Sequence, residues 1–189
     1  MYSEDDLIIP NVEMKYLQQV DGWADFYEHT HAFEPQNYLF DAQRFSHKVY
    51  AMLDAFESEH RYVVWLDIDL VFKKKFTANF FKKLVKDHCV AYLGRGGTYT
   101  ETGCVIFDTE HPDFETFKHR LADLYNNRNI FKLPIYIDCM AIDVSMEGLE
   151  VKNLTPDVVG MVDVFSQSPL DEIMDHNKGQ GHGQYRRGK

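Results

Sequence analysis

Arg61-Tyr-Val-Val-Trp-Leu-Asp67-Ile-Asp69-Leu-Val-Phe72 is the stretch that decides how this chain reads. An apolar run ends in two carboxylates, Asp67 and Asp69, and the apolar pattern resumes at once. Four apolar residues in a row, Tyr62 to Trp65, predict a strand covered on both faces. The carboxyl end of such a strand is where open α/β sheets bind ligands. Residues two apart on a strand point the same way, so both carboxylates are expected to face one site. Two close carboxylates repel, and one of them would stay protonated. A divalent cation removes that conflict, and oxygen donors favour magnesium, manganese or calcium over zinc. The same pair also fits a cap on the turn or helix that follows.

Composition bounds the classes. At 189 residues the chain is expected to form one domain, 1–189, with enough length for a core. Apolar content of 44% and aromatic content of 14% exclude a disordered class. A net charge of −10 argues against general nucleic-acid binding, which relies on broad phosphate neutralisation. It leaves room for a small anion in a local basic pocket. Cys89, Cys104 and Cys139 are widely spaced in apolar contexts. They read as free buried thiols in a reducing compartment, with neither a zinc pattern nor a disulfide framework. No apolar run approaches membrane-spanning length, and Met1-Tyr-Ser-Glu-Asp-Asp6 lacks the shape of a signal peptide. A cytoplasmic location is expected.

Residues 1–40 are weakly patterned, with Leu7-Ile8-Ile9-Pro10 as a short candidate strand. Residues 41–57 predict a helix whose inner stripe is Phe45, Val49, Met52, Leu53 and Phe56. Asp41, Arg44 and Lys48 share another face, either solvated or aimed at an anion. Thr77 is expected to cap a short helix that turns Phe80, Phe81, Leu84 and Val85 inward. Cys89 to Leu93 and Cys104 to Asp108 read as strands, with Glu101, Thr102 and Gly103 in the turn before the second. Pro112 suits the first turn of a helix, and Pro134 is expected to open another that carries Asp138. A lone carboxylate on that apolar helix would be costly to bury. Ser168-Pro-Leu-Asp171 predicts a capped last helix ending at Gly179. The tail from 176 to 189 is Gly-rich and basic, either a frayed terminus or a mobile lid that brings cations to an anion. Strands alternating with helices predict an α/β fold.

Five of these segments, in order, resemble those of metal-dependent glycosyltransferases of the GT-A fold. They are Asp41-Ala-Gln-Arg44-Phe45-Ser-His-Lys48, Leu66-Asp-Ile-Asp69, Tyr99-Thr-Glu-Thr-Gly103-Cys-Val-Ile-Phe107, Ile137-Asp138-Cys-Met-Ala-Ile-Asp143 and Asp175-His176-Asn-Lys178-Gly179. The nearest group is one of small GT-A-like transferases of microbial or viral type. The resemblance implies a GT-A-like mixed sheet flanked by helices. With 66 residues before Asp67, it implies a shortened N-terminal nucleotide-binding half. It implies transfer of a sugar from a nucleotide-diphosphate donor, a UDP-sugar being favoured, to a glycan, protein or small-molecule acceptor. The expected ion is manganese, with magnesium as the substitute, held by Asp67, Asp69 and His176. Asp67 would also reach the ribose. Arg44, Lys48, Thr102, Gly103, Lys178 and Gly179 would meet the donor, and Asp138 and Glu101 would act at the sugar or acceptor.

Two other classes remain open on the same residues. A phosphohydrolase of the haloacid dehalogenase type uses an apolar-Asp-x-Asp strand, with Asp67 then as nucleophile and Asp69 as acid. No later Gly-Asp-x-x-x-Asp segment is present to complete its magnesium site. A non-catalytic nucleotide-sugar-binding module would keep the metal pair and lack turnover.

Overall fold

A computed structural model describes residues 2–3, 12–31, 35 and 37–177. In chain order the elements are β1 (Tyr2–Ser3), β2 (Lys15–Tyr16), α1 (Trp23–Thr30), α2 (Ala42–Phe56), β3 (Tyr62–Leu66), β4 (Leu70–Phe72) and α3 (Ala78–Val85). There follow β5 (Val90–Leu93), β6 (Glu101–Asp108), α4 (Phe114–Asn126), α5 (Asp138–Met146), β7 (Val151–Asn153) and β8 (Met174–His176). The fold is mixed α/β. The chain forms two compact units, Met1–His60 with Glu115–Ser145 and Arg61–Phe114 with Met146–Lys189.

The first unit is mainly helical. The helix expected over 41–57 forms because Asp41 Oδ1 accepts the Arg44 N–H at 3.0 Å and because Phe45, Val49, Met52 and Phe56 bury one stripe. Tyr50, also buried, donates its hydroxyl to Asn126 Oδ1 at 3.0 Å. Phe26 of α1 packs its ring 5.3 Å from that of Tyr125 in α4. Aromatic pairs at such distances add to the energy of simple burial.

The second unit holds the mixed sheet, ordered β3-β6-β5-β7. Strand β6 runs antiparallel to β3 and β5, and β5 runs parallel to β7. All eight residues of β6 are buried, as its central place requires. Against it pack Phe81 and Val85 of α3, with Ala91, Leu93 and Ile106 in the same core.

Several local expectations change. Strand β3 is half-buried along its length where a fully buried strand was expected, and it ends the sheet order with one paired neighbour among the described residues. Strand β6 starts at Glu101, since Leu93 pairs with Glu101 and draws the expected turn into the ladder. Thr77 occupies the cap position of α3 in extended geometry without a side-chain cap bond. The segment around Pro134 is irregular, and α5 begins at Asp138. Ser168 does cap, accepting the Leu170 N–H at 3.1 Å, but only a 3₁₀ turn follows. The Lys73 N–H then bonds Ile173 O at 2.8 Å, and the chain enters β8 where a helix was expected. Leu7 to Pro10 and the tail from Lys178 lie outside the described residues. Among the described residues no helix is long and apolar enough to cross a membrane. Cys89, Cys104 and Cys139 are free thiols, the first two buried.

The Tyr125 hydroxyl is fully buried and has no hydrogen-bond partner among the described residues. Its burial carries a desolvation penalty with no compensating bond. Tyr125→Phe is therefore expected to stabilise the protein by about 1 kcal/mol. A thermal melt checks this, and a clear drop in Tm would show that the hydroxyl is satisfied.

Candidate metal centre

Asp67 and Asp69 converge, but not by strand alternation. Strand β3 ends at Leu66; Asp67 follows it, and Ile68-Asp69 form a turn in which Leu70 N–H bonds Asp67 O at 3.2 Å. Ile68 is thrown out to solvent at 88% exposure, which leaves its two neighbours on one side of the turn. The β3–β6 ladder continues one step past the strand, with Asp67 N–H donating to Gly103 O at 2.9 Å. That bond places the first carboxylate opposite Gly103. The Trp65 indole fixes its orientation by donating to Asp67 Oδ1 at 2.6 Å.

His176 arrives from far along the chain through antiparallel pairing of β4 with β8, in which Leu70 faces His176. The pairing runs on to Asn177 N–H and Asp69 O at 3.0 Å. Lys73, bonded to Asp171 at 2.8 Å, and Lys74, bonded to Glu172 at 2.8 Å, add ion pairs at the surface. The Asp171 bond raises the pKa of the Lys73 ammonium. Such exposed pairs contribute little, and the backbone ladder and the buried face of β8 decide the register.

The result is a compact group in which Asp67, Asp69 and His176 each offer a donor atom, all within 4.8 Å of one another. His176 Nε2 lies 3.1 Å from Asp69 Oδ1, with the His176 side chain 5% exposed and that of Asp69 41% exposed. The ring packs between Phe165, at 4.7 Å between centroids, and the backbone of Gly103. A Cβ at position 103 would sit 2.8 Å from His176 Cε1, so glycine is required by contact and not by dihedral angle.

Behind the imidazole stands Glu101. Its Oε1 is 3.9 Å from His176 Nδ1 and accepts the Gly103 N–H at 3.1 Å, while Oε2 is bound by Arg95. Both side chains of that ion pair are more than nine-tenths buried. His176 Nδ1 is itself buried without a hydrogen-bond partner among the described residues. These side chains are the types that could hold a cation. In the metal-free protein, if Nε2–H serves Asp69, Nδ1 is left as a bare lone pair facing a carboxylate. A metal held at Nε2 would leave Nδ1 to carry the proton, with Glu101 on that side of the ring, the arrangement that ligating histidines commonly adopt. Two carboxylates and one imidazole suit manganese or magnesium.

The expected donor-binding residues fall into separate groups. Asp67, Asp69, Glu101, Gly103 and His176 come together in the second unit. Thr102 is buried within β6. Lys48 and Asp138 belong to the first unit, where they pair at 3.0 Å with side chains 13% and 4% exposed. Asp138 is thus not the lone carboxylate its apolar helix suggested. Arg44 is exposed, its guanidinium 5.2 Å from the Tyr38 ring centroid. Lys178 and Gly179 lie outside the described residues. Sequence reading missed Arg95, Trp65 and Phe165 as parts of this centre. For Arg95 a signal existed: a charged residue among the glycines of Gly94-Arg-Gly-Gly97 has little local reason to be there. No family model, curated protein or solved structure matches this chain.

Two variants follow from this geometry. Gly103→Ala must push His176 aside and is expected to destabilise the protein by about 1–3 kcal/mol, as overpacking does. It should weaken divalent-metal binding in parallel, and wild-type affinity in calorimetry would mean that the ring is free to move. Glu101→Gln leaves the buried Arg95 without its counter-charge and is expected to remove about 3 kcal/mol in denaturant unfolding. An unchanged midpoint would show that the ion pair is not needed.

Proposed function

We propose that this chain is a metal-dependent glycosyltransferase of the GT-A type, using a nucleotide-diphosphate sugar as donor. The single observation that carries the reading is the convergence of Asp67, Asp69 and His176. It is supported by the order of the five motifs, by the oxygen-rich donor set and by the glycine that lets the histidine approach. A UDP-sugar is the favoured donor; a glycan, a protein or a small molecule would be the acceptor.

The three side chains would hold manganese, or magnesium in its place. Such an ion, when bound, offsets the charge that develops on a diphosphate leaving group. The chain's own residues do the positioning. Trp65 fixes one oxygen of Asp67, Phe165 and Gly103 hold the plane of the His176 ring, and Glu101 places a carboxylate oxygen 3.9 Å from Nδ1. Arg95 pairs with Glu101 and so holds that carboxylate in place behind the ring. In this reading Glu101 acts through His176 rather than on the sugar. Asp138, paired with Lys48 in the first unit, is given no part in this centre.

Asp69→Asn tests the centre with little change of shape. Its amide can still serve His176 Nε2, so the fold should hold, while manganese-dependent binding of UDP should weaken about 10–100-fold. For the wild-type protein, UDP with manganese at a hundred times its dissociation constant should add about 2.7 kcal/mol of stability. Calorimetry with EDTA as the control decides, and equal UDP binding with and without metal would sink the reading. A phosphorylated Asp67 seen by mass spectrometry after treatment with a phosphoester would assign the pair to phosphoryl chemistry instead.

A further inference from the structure

A second group of ligand-type side chains lies in the same unit and has no part in the proposed transfer. Cys89 stands just before β5 and is fully buried. Its N–H donates to Glu150 O at 2.9 Å, and its carbonyl accepts the Asp108 N–H at 3.0 Å. His111 and Asp113 lie in the connection from β6 to α4. His111 N–H bonds Asp108 O at 3.1 Å, and Asp113 Oδ2 accepts the Glu150 N–H at 2.8 Å. The thiol of Cys89, the imidazole of His111 and the carboxylate of Asp113 each place a donor atom within 4.8 Å of the others. Glu150 adds a carboxylate oxygen 3.4 Å from His111 Nε2, while Nδ1 accepts the Asp113 N–H at 3.2 Å, a bond that a metal at Nδ1 would replace. Three chain segments therefore meet at one point, and each brings a metal-type donor.

We propose that Cys89, His111 and Asp113, with Glu150 as the fourth donor, form a structural zinc site. The donor chemistry separates it from the Asp67, Asp69 and His176 centre. One thiolate, one imidazole and carboxylate oxygens suit tetrahedral zinc, whereas a centre of two carboxylates and an imidazole does not select it. A divalent ion offsets two of the three anionic donors, the Cys89 thiolate and the Asp113 and Glu150 carboxylates, and the one remaining negative charge falls on the side where Glu150 is exposed to water. Binding therefore releases the thiol proton to solvent. Glu150, 75% exposed at its side chain, can turn inward as the closing ligand. The site would staple the start of β5, the β6–α4 connection and the approach to β7. It stands whether or not the chain transfers sugar.

Cobalt is the probe, because a thiolate ligand gives it a near-ultraviolet charge-transfer band that oxygen and nitrogen donors do not. Full-length protein stripped with EDTA should develop this band on titration, the band reporting only the cobalt bound to sulfur and not any held by the Asp67, Asp69 and His176 group, and zinc should erase it. Cys89→Ala should abolish the band, while Asp69→Asn and Cys139→Ala should keep it. Asp113→Asn should retain the metal-free Tm and weaken cobalt binding about tenfold or more. The absence of a band in the wild-type protein, or its survival in Cys89→Ala, overturns the site. If Cys89→Ala does not fold, His111→Ala and Asp113→Asn carry the test, and wild-type cobalt affinity in both overturns it equally.

Discussion

The imidazole of His176 reaches Asp69 only because position 103 carries no side chain. A Cβ there would overlap His176 Cε1 and Nδ1 and crowd Phe165. Gly103 is also the residue whose carbonyl binds the amide of Asp67 and whose amide is bound by Glu101. One backbone unit thus sets the height of the first carboxylate, the tilt of the histidine and the place of the glutamate behind it. Side chains normally define such a centre. Here the contact surface is peptide, which neither rotates nor titrates, and this favours a fixed geometry before any ligand arrives.

Buried charge in this acidic chain is handled in pairs. Arg95 holds Glu101, Lys48 holds Asp138, and Arg61 holds both oxygens of Asp108 at 2.9 Å. A buried pair contributes little net stability, because desolvation consumes most of the Coulomb gain. Removing one partner is far more costly, so each pair fixes an arrangement more than it strengthens the fold. The Arg95–Glu101 pair makes the point. Among the described residues Arg95 Nε has no hydrogen-bond partner, a loss accepted so that the carboxylate lies against His176 and the Gly103 amide.

How much of this could be read from the chain depended on whether the cause was local. Helix α2 was legible because its cap and stripe lie within one stretch, Asp41 to Phe56. The Asp67–Asp69 pair was legible because the apolar run and the two acids that end it are contiguous in the chain. The burial of β3 was misjudged, since an apolar run shows that side chains favour burial and not how much of the strand the rest of the chain will cover. Ser168 read correctly as a cap, yet the element after it is a strand, because pairing with β4, about a hundred residues earlier, overrode a local helix signal. The turn assigned to Glu101–Gly103 failed for the same reason: a ladder partner at Leu93 outweighed small-residue composition. Arg95 with Glu101, and Cys89 with His111 and Asp113, were invisible as groups because nothing in their spacing marks them as neighbours.

Two candidate metal groups in one unit raise a question of selectivity that affinity alone does not answer. Zinc outranks manganese and magnesium at almost any nitrogen and oxygen site, so the Asp67, Asp69 and His176 group cannot exclude it by strength of binding. Its openness helps instead. Asp69 is substantially exposed, which leaves room for waters and phosphate oxygens in the six-coordinate shell that the harder ions prefer. The Cys89 group is the opposite case, with a fully buried sulfur and a nearly buried imidazole that leave little space for solvent. A closed group with a sulfur donor would favour zinc in a tetrahedral site, and an open one with two carboxylates would suit an ion that shares its shell with a ligand. Coordination number, set by burial, can thus separate the two ions where donor strength cannot.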